Sequence, residues 1–259
     1  MSEQSMNPAA NQTAIEPGRI QNRDAFIANI SQKLGRACPE SVAQPVLSSR
    51  VHHQVMEDLD QDGLKQVLVE YAQEALGASA ITTTKAELSA TLKEVCRNYC
   101  KDAQGEVQAG ETVLSATPEL LAMVDVAQLQ DEQLSLHVWD PQLGFDANIK
   151  IAERAKVGIV LAEQALAESG TMVLYSQAAQ GRAVSLLPEA SIFIVKKSTL
   201  APRFTQATAP LHQMAKRGER VPSCVNFISG PSSTADIELI KVVGVHGPVF
   251  ATYVILDDC

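Results

Sequence analysis

The apolar positions fall first into helical and then into alternating helical and extended spacing. In residues 19–34, Phe26, Ile27, Ile30 and Leu34 recur at helical intervals, and Gly35 follows as a stop. Pro39 and Pro45 interrupt regular structure ahead of residues 51–59. Asp62-Gly63 then opens an amphipathic stretch through Leu64, Val67, Leu68, Tyr71, Ala72 and Ala75 that ends at Gly77. From residue 80 the pattern alternates: extended 80–83, helical 85–99, extended 112–115, helical 118–126, extended 134–139. Residues 157–160, 171–176 and 191–195 read as short central strands rich in β-branched side chains. Residues 203–217 place Phe204, Ala207, Leu211 and Met214 on one helical side before Gly218, and strands are expected at 224–228 and 248–256. Such alternation predicts an α/β domain with a mixed, largely parallel sheet flanked by helices. Residues 1–18 are polar and rich in Asn, Gln and Ala, and are expected to be a disordered tail. Residues 19–259 then form the α/β domain with an N-terminal helical portion.

Composition narrows the function classes. The chain has 259 residues, 46% hydrophobic and 20% charged, ordinary values for a globular protein that needs neither metal nor disulfide to complete its core. A formal net charge of -9 argues against binding to phosphate backbones or anionic lipid, so no nucleic acid is expected as partner. No apolar run approaches the ~20 residues of a membrane span. The tail lacks the basic start and apolar block of a targeting peptide. Cys38, Cys96, Cys100, Cys224 and Cys259 are odd in number and lack framework spacing, which points to reduced thiols. Cys96 and Cys100 lie one helical turn apart and are expected to pack beneath the sheet; iron–sulfur clusters usually need four cysteines, so none is expected in this chain. His52 and His53 are adjacent, face different sides of a helix and make a poor metal pair.

Candidate chemistry gathers in four segments. Gly230 to Glu238 follows an apolar run and reads as a strand feeding a glycine turn and then a helix start, with Ser233 as cap and Asp236 at capping-box spacing. With Gly244 to Pro248 it would place Ser232, Thr234, Asp236 and His246 in one neighbourhood. Asp236 and Glu238 near a helix start are explained by the helix dipole, and they oppose a bound phosphate. Glu168-Ser169-Gly170-Thr171 could project a carboxylate and two hydroxyls past a strand end, or could be an ordinary turn satisfying its own backbone. Arg182, after Gly181, could bind a carboxylate through two parallel hydrogen bonds, close over a small ligand, or remain a solvated loop residue. His246, next to Gly247, could act as a base near neutrality, or be a buried histidine that bonds loop carbonyls with Asp236 as partner. Neither phosphate-loop glycine motif occurs, and Gly230-Pro231-Ser232-Ser233-Thr234 lacks the second glycine of a nucleophile elbow, which disfavours a serine hydrolase.

Four blocks, Gly230 to Glu238, Gly244 to Pro248, Ala167 to Thr171, and Arg182 leading to Leu186-Leu187-Pro188, together resemble the LUD domain of lactate utilization protein C, in that family's order. They cover the C-terminal half; before about residue 112 only the general helical and α/β character matches. Ser233 stands where the family often carries a basic residue. The resemblance implies a fold of the NagB/RpiA/CoA transferase-like group and a cytoplasmic role in oxidising L-lactate to pyruvate. Two partner proteins would carry the iron–sulfur clusters, and this chain would hold no cofactor of its own. It further implies Glu168 and His246 as catalytic candidates. A small carboxylate ligand would be held by Ser169, Gly170, Thr171, Arg182, Gly230, Ser232, Thr234, Asp236 and Gly247. The alternative is a stand-alone acyl or CoA transferase, or an isomerase, on the same fold, with Glu168 as the nucleophile or base. Both readings expect these groups to converge at one sheet edge, outside the carboxyl ends of strands.

Overall fold

The structure is a computed structural model, and it describes residues 20–37, 45–46, 48–236 and 239–259. The tail of residues 1–18, Cys38, Pro39 and Glu238 lie outside the described residues. The described residues divide into two compact units, those before residue 50 with 212–221, and those of 50–211 with 222–259. In the first, α1 (Arg23–Lys33) ends before Gly35, which takes the left-handed φ of 72° anticipated for a helix stop.

The second unit holds the sheet. It opens with α2 (Val51–Gln54) and α3 (Gln61–Tyr71), whose N-cap Asp60 accepts a 2.8 Å hydrogen bond from the Gly63 N–H. A π turn, Ala72–Leu76, extends α3 to Gly77. The chain then alternates through β1 (Ser79–Thr83), α4 (Leu88–Tyr99), β2 (Gly110–Leu114), α5 (Pro118–Met123), β3 (Leu134–Val138), α6 (Gly144–Arg154) and β4 (Val157–Leu161). Next come β5 (Gln164–Leu166), β6 (Thr171–Tyr175), α7 (Ala183–Leu186), β7 (Ala190–Lys196), β8 (Leu200–Ala201) and α8 (Phe204–Lys216), which crosses the boundary between the units. Last are β9 (Val225–Ser229), β10 (Ser233–Thr234), β11 (Val242–Val243) and β12 (Phe250–Leu256).

Six strands form one sheet in the order β1-β12-β7-β4-β2-β3, with every neighbouring pair parallel. Its central strands are buried on both faces, as their continuous apolar runs require. Side chains alternate between two cores: Phe193, Val195, Ala251, Tyr253 and Ile255 enter one, while Ile192, Ile194, Val254 and Leu256 enter the other. The second core is closed by α4 and α5 through Leu88, Leu92, Val95, Cys96 and Leu120. The first is closed by α3, α6 and α7 and by a second, four-stranded sheet in the order β8-β5-β6-β9.

That second sheet departs from the sequence expectation. Residues 171–176 and 224–228 form strands, but they pair with each other antiparallel, Thr171 opposite Ser229 through Tyr175 opposite Val225, outside the parallel sheet. Short apolar, β-branched runs look alike in either sheet, so composition did not separate them. The expected helix after Gly230 is also corrected. Ser233 and Thr234 instead form an antiparallel ribbon with Val243 and Val242, and no helix follows Gly230 among the described residues. The capping-box and helix-dipole roles of Ser233 and Asp236 therefore lapse; the Asp236 N–H is bonded by the Thr234 hydroxyl at 3.3 Å.

Candidate functional site

The Gly230 turn and the Ala167–Thr171 turn, 60 residues apart in sequence, meet over one side chain. Tyr253, fully buried on β12, donates its hydroxyl hydrogen to the Gly170 carbonyl at 2.6 Å and accepts from the Gly230 N–H at 2.7 Å. Thr171 and Ser229 are the last facing pair of the β6/β9 ladder, so Gly170 and Gly230 come next, and the phenol stands between them. Burial pushes the Tyr253 hydroxyl up to about 12, against the lowering effect of the Gly230 N–H, so it is a neutral hydrogen-bonding group. Both glycines take left-handed φ, 58° and 68°, and a Cβ on either would lie within 3 Å of the Leu76 side chain. Leu76, delivered by the π turn after α3, is wedged against both turns. A second hydroxyl chain joins the same strands: Ser169 Oγ to Thr171 Oγ1 at 2.7 Å, and Thr171 Oγ1 to Ser229 Oγ at 2.6 Å.

Beside this junction, between the two sheets and toward the amino ends of β7 and β12, lies a cavity of about 320 Å³. Its polar wall is built largely from hydroxyls: Ser185, Ser191, Ser229, Ser232 and Ser233, with His246 opening on it. Phe193, Phe227 and Ala251 supply the apolar wall. The loop segment is tied down by backbone bonds, Ser232 N–H to the Pro248 carbonyl at 2.9 Å and Gly244 N–H to the Ser232 carbonyl at 2.8 Å. Gly247 packs on Ser232, with room at its α-carbon for hydrogen only at close range: a Cβ there would come within 3.2 Å of the serine Cβ.

Of the residues singled out by sequence, Gly230, Ser232, His246 and Gly247 line the cavity together. His246 is exposed, so it is not the buried histidine of the blander reading, and no hydrogen bond joins it to Asp236 among the described residues. Ser169, Gly170 and Thr171 stand behind the cavity wall, linked to it through Ser229 and Tyr253 rather than facing it. Thr234, on the β10 ribbon, and the exposed Asp236 two residues on are not in its lining. Glu168 and Arg182 do not join. The Glu168 carboxylate pairs with Arg203 at 3.0 Å, in a turn packed under α3 and fixed by its N–H bond to the Pro202 carbonyl. Arg182 is exposed at the start of α7, with Nη1 3.9 Å from Cys224 Sγ. Gly181 makes its close approach to the indole of Trp139, where a Cβ would come within 2.2 Å, rather than to a ligand. The carboxylate, guanidinium and imidazole thus do not share one cavity, and the cavity opens at the amino rather than the carboxyl ends of the parallel strands.

Tyr253, Leu76 and the pocket serines 185, 191 and 229 were not anticipated. A lone tyrosine in the apolar run 250–256 was the available signal, since a buried phenol needs a hydrogen-bond partner. Cys96 and Cys100 are buried as expected, and burial pushes the Cys96 thiol up to about 12, the opposite of the thiolate a cluster needs. No group of three or more His, Cys, Asp or Glu side chains among the described residues is arranged to hold a metal. No helix among them is long and apolar enough to cross a membrane.

Comparison with known proteins places this architecture. The chain is 42% identical over 245 residues to the uncharacterized protein YkgG of Escherichia coli K12, covering 93% of this chain and all of that one. It is 42% identical over 246 residues to lactate utilization protein C of Geobacillus kaustophilus, covering 93% and 98% of the two chains. Lactate utilization protein C of Macrococcus caseolyticus is 40% identical over 244 residues, 94% of this chain and all of its own. The fold is shared with the crystal structure of a DUF162 family protein from Deinococcus radiodurans, at a TM-score of 0.53 and 18% identity, over 77% of this chain and 99% of that one. The profile of the LUD domain matches residues 66–256, from α3 to the end of β12. The chain belongs to the LUD domain family.

Proposed function

We propose that this chain is a subunit of a lactate utilization system, one that oxidises L-lactate to pyruvate, and that it works with partner proteins bearing iron–sulfur clusters. The end-to-end likeness to proteins named lactate utilization protein C supports the process. The observation that carries the chemistry is the serine-walled cavity with His246 at its rim. Its volume, about 320 Å³, suits a small hydroxy acid, and the Ser232 and Ser233 hydroxyls can donate to a carboxylate, whereas those of Ser185 and Ser191 already donate to backbone carbonyls. Oxidation of a 2-hydroxy acid removes two electrons and two protons. An imidazole at the rim can take the hydroxyl proton, while the Cα hydrogen would leave as a proton and two electrons taken up by the partner proteins. In this reading the electrons leave through the partner proteins, whose clusters supply the redox chemistry.

The test is anaerobic reconstitution with candidate cluster proteins, reading lactate-dependent dye reduction with and without this chain. Turnover should require the chain and fall sharply in His246→Ala. Equal turnover without the chain, or robust oxidation by the chain alone, would refute the assignment.

A further inference from the structure

The parallel sheet changes direction between β2 and β4. From β2 the chain moves outward to the edge strand β3; from β4 it moves the other way, to β7 and then β12. Connections diverging from adjacent strands leave a crevice outside their carboxyl ends, the usual ligand position in open α/β sheets. The crevice is present here. A cavity of about 240 Å³ opens there, lined by Thr117, Pro118, Glu119, Leu161, Glu163 and Gln177. It lies at the edge of the sheet opposite the serine-walled cavity and shares no residue with it.

The segments that lead into this crevice carry buried polar groups without partners among the described residues. The next residue after β2 is Ser115, fully buried, with its Oγ lacking a hydrogen-bond partner among the described residues. The loop that leads to Gln177 contributes Ser176 Oγ and both amide atoms of the buried Gln180, likewise without partners. That loop is fastened over the β2 end by the Ala116 N–H, which donates to the Ala179 carbonyl at 2.8 Å. Buried polar atoms are nearly always bonded to protein, water or ligand, so these four mark the segments that carry Thr117 and Gln177 as polar, although they do not themselves line the crevice.

We propose that this crevice is a second binding site, for a small uncharged polyhydroxylated ligand held by Thr117, Glu163 and Gln177. The lining selects that chemistry. No cationic side chain lines the crevice, while two carboxyl groups do, so nothing in its lining attracts an anion. Glu119 is occupied by its ion pair with Lys196. Glu163 makes no ion pair among the described residues, so its oxygens are open to accept from a ligand hydroxyl; burial first, then Glu119, push its carboxyl up. Gln177 adds an amide, while Pro118 and Leu161 offer apolar surface for the C–H face of a ring. The volume falls below the range of about 300–1,000 Å³ typical of drug-sized ligands, which limits the occupant to a single small ring. A free pentose and the ribosyl group of a nucleoside present the same hydroxyls.

Ligand-observed saturation-transfer NMR on the full chain, with D-ribose and adenosine as probes, tests the site. Transfer to ribosyl protons from both probes identifies the free sugar as sufficient; transfer from adenosine alone identifies a nucleoside. Glu163→Leu should weaken binding about tenfold, the loss expected for one hydrogen bond to a carboxyl group, and Glu163→Gln should restore most of it. His246→Ala, at the other cavity, should leave it unchanged, which separates this site from the lactate reading. The proposal is overturned by silence from both probes, by full-strength binding in a folded Glu163→Leu variant, or by loss of binding in His246→Ala.

Discussion

Tyr253→Phe is the most direct probe of how the candidate site is held. The substitution keeps the ring and its edge-on contact with Phe193, at 5.9 Å and 78°, and removes only the hydroxyl. Two buried hydrogen bonds disappear, leaving the Gly170 carbonyl and the Gly230 N–H facing each other across the gap the oxygen filled. If the turns stay apart, each unpaired group costs about 1–3 kcal/mol; if they close into a direct bond, part of that returns, and the Gly230 wall of the cavity moves. The expected net loss is about 2–4 kcal/mol, a large share of the ~5–15 kcal/mol by which domains are stable. It corresponds to a drop in Tm on the order of 10 °C at this chain length. Urea unfolding with an unchanged m-value is the assay. Tyr99→Phe is the internal control: its hydroxyl makes one bond, to Thr252 Oγ1 at 2.6 Å, and its loss should cost about 1 kcal/mol. A loss below about 0.5 kcal/mol in Tyr253→Phe, or one no larger than the control, would refute the claim that this phenol joins the two sheets.

Further outcomes follow from the same geometry. The Tyr253 phenol is neutral in the fold up to about 12 against an ordinary value of 10.0, so its contribution to stability is complete below pH 10 and is lost as pH rises toward 12. Unfolding midpoints measured across that range should fall more steeply in the native protein than in Tyr253→Phe. Gly230→Ala should destabilise by about 1–3 kcal/mol, because the new Cβ meets Leu76 Cβ at 2.8 Å with φ at 68°, and calorimetry should show it. Glu168→Gln should cost no more than about 1 kcal/mol and leave ligand binding intact, since it breaks only the part-exposed pair with Arg203. Binding lost in a folded Glu168→Gln protein would restore the transferase reading. Asp62 is held below the ordinary carboxylate value by Lys197 and then Lys65, and Asp257 by Lys65 and then Lys197. Their contribution is present above about pH 3.8 and is lost as pH falls below it, so the stability difference between native protein and Asp62→Asn/Asp257→Asn should vanish on acidification.

The elements of the parallel sheet were legible because a strand buried on both faces must be apolar throughout, as in Val157 to Leu161. The helix ends were legible from their punctuation: Gly35 and Gly77 take the left-handed φ that a stop requires. Short β5, β8 and the β10/β11 ribbon, with two or three residues each, carry too few positions to show a period. The two glycine motifs were correctly placed side by side, but for a different reason than ligand binding. Gly170 and Gly230 are needed because Leu76 leaves no space for a Cβ, a contact nearly a hundred residues away in sequence for Gly170 and more for Gly230. Glu168 and Arg182 looked like partners because charge and glycine neighbours are visible in a sequence, whereas the Arg203 ion pair and the Trp139 contact that explain their neighbourhoods are long-range facts.

Strand order also governs how the molecule can be made. β12 is inserted between β1 and β7, and β1 has no other neighbour in its sheet. On a ribosome, therefore, residues 79–83 emerge early and wait for some 170 residues of later chain before their hydrogen-bonding partner exists. The same late arrival carries the phenol that sets the Gly170 and Gly230 turns, so stabilisation of the candidate pocket by that side chain must await the emergence of β12. A nascent chain stalled before residue 250 would expose the edges of both β1 and β7, making shielding of those edges a requirement of biogenesis rather than of the finished protein.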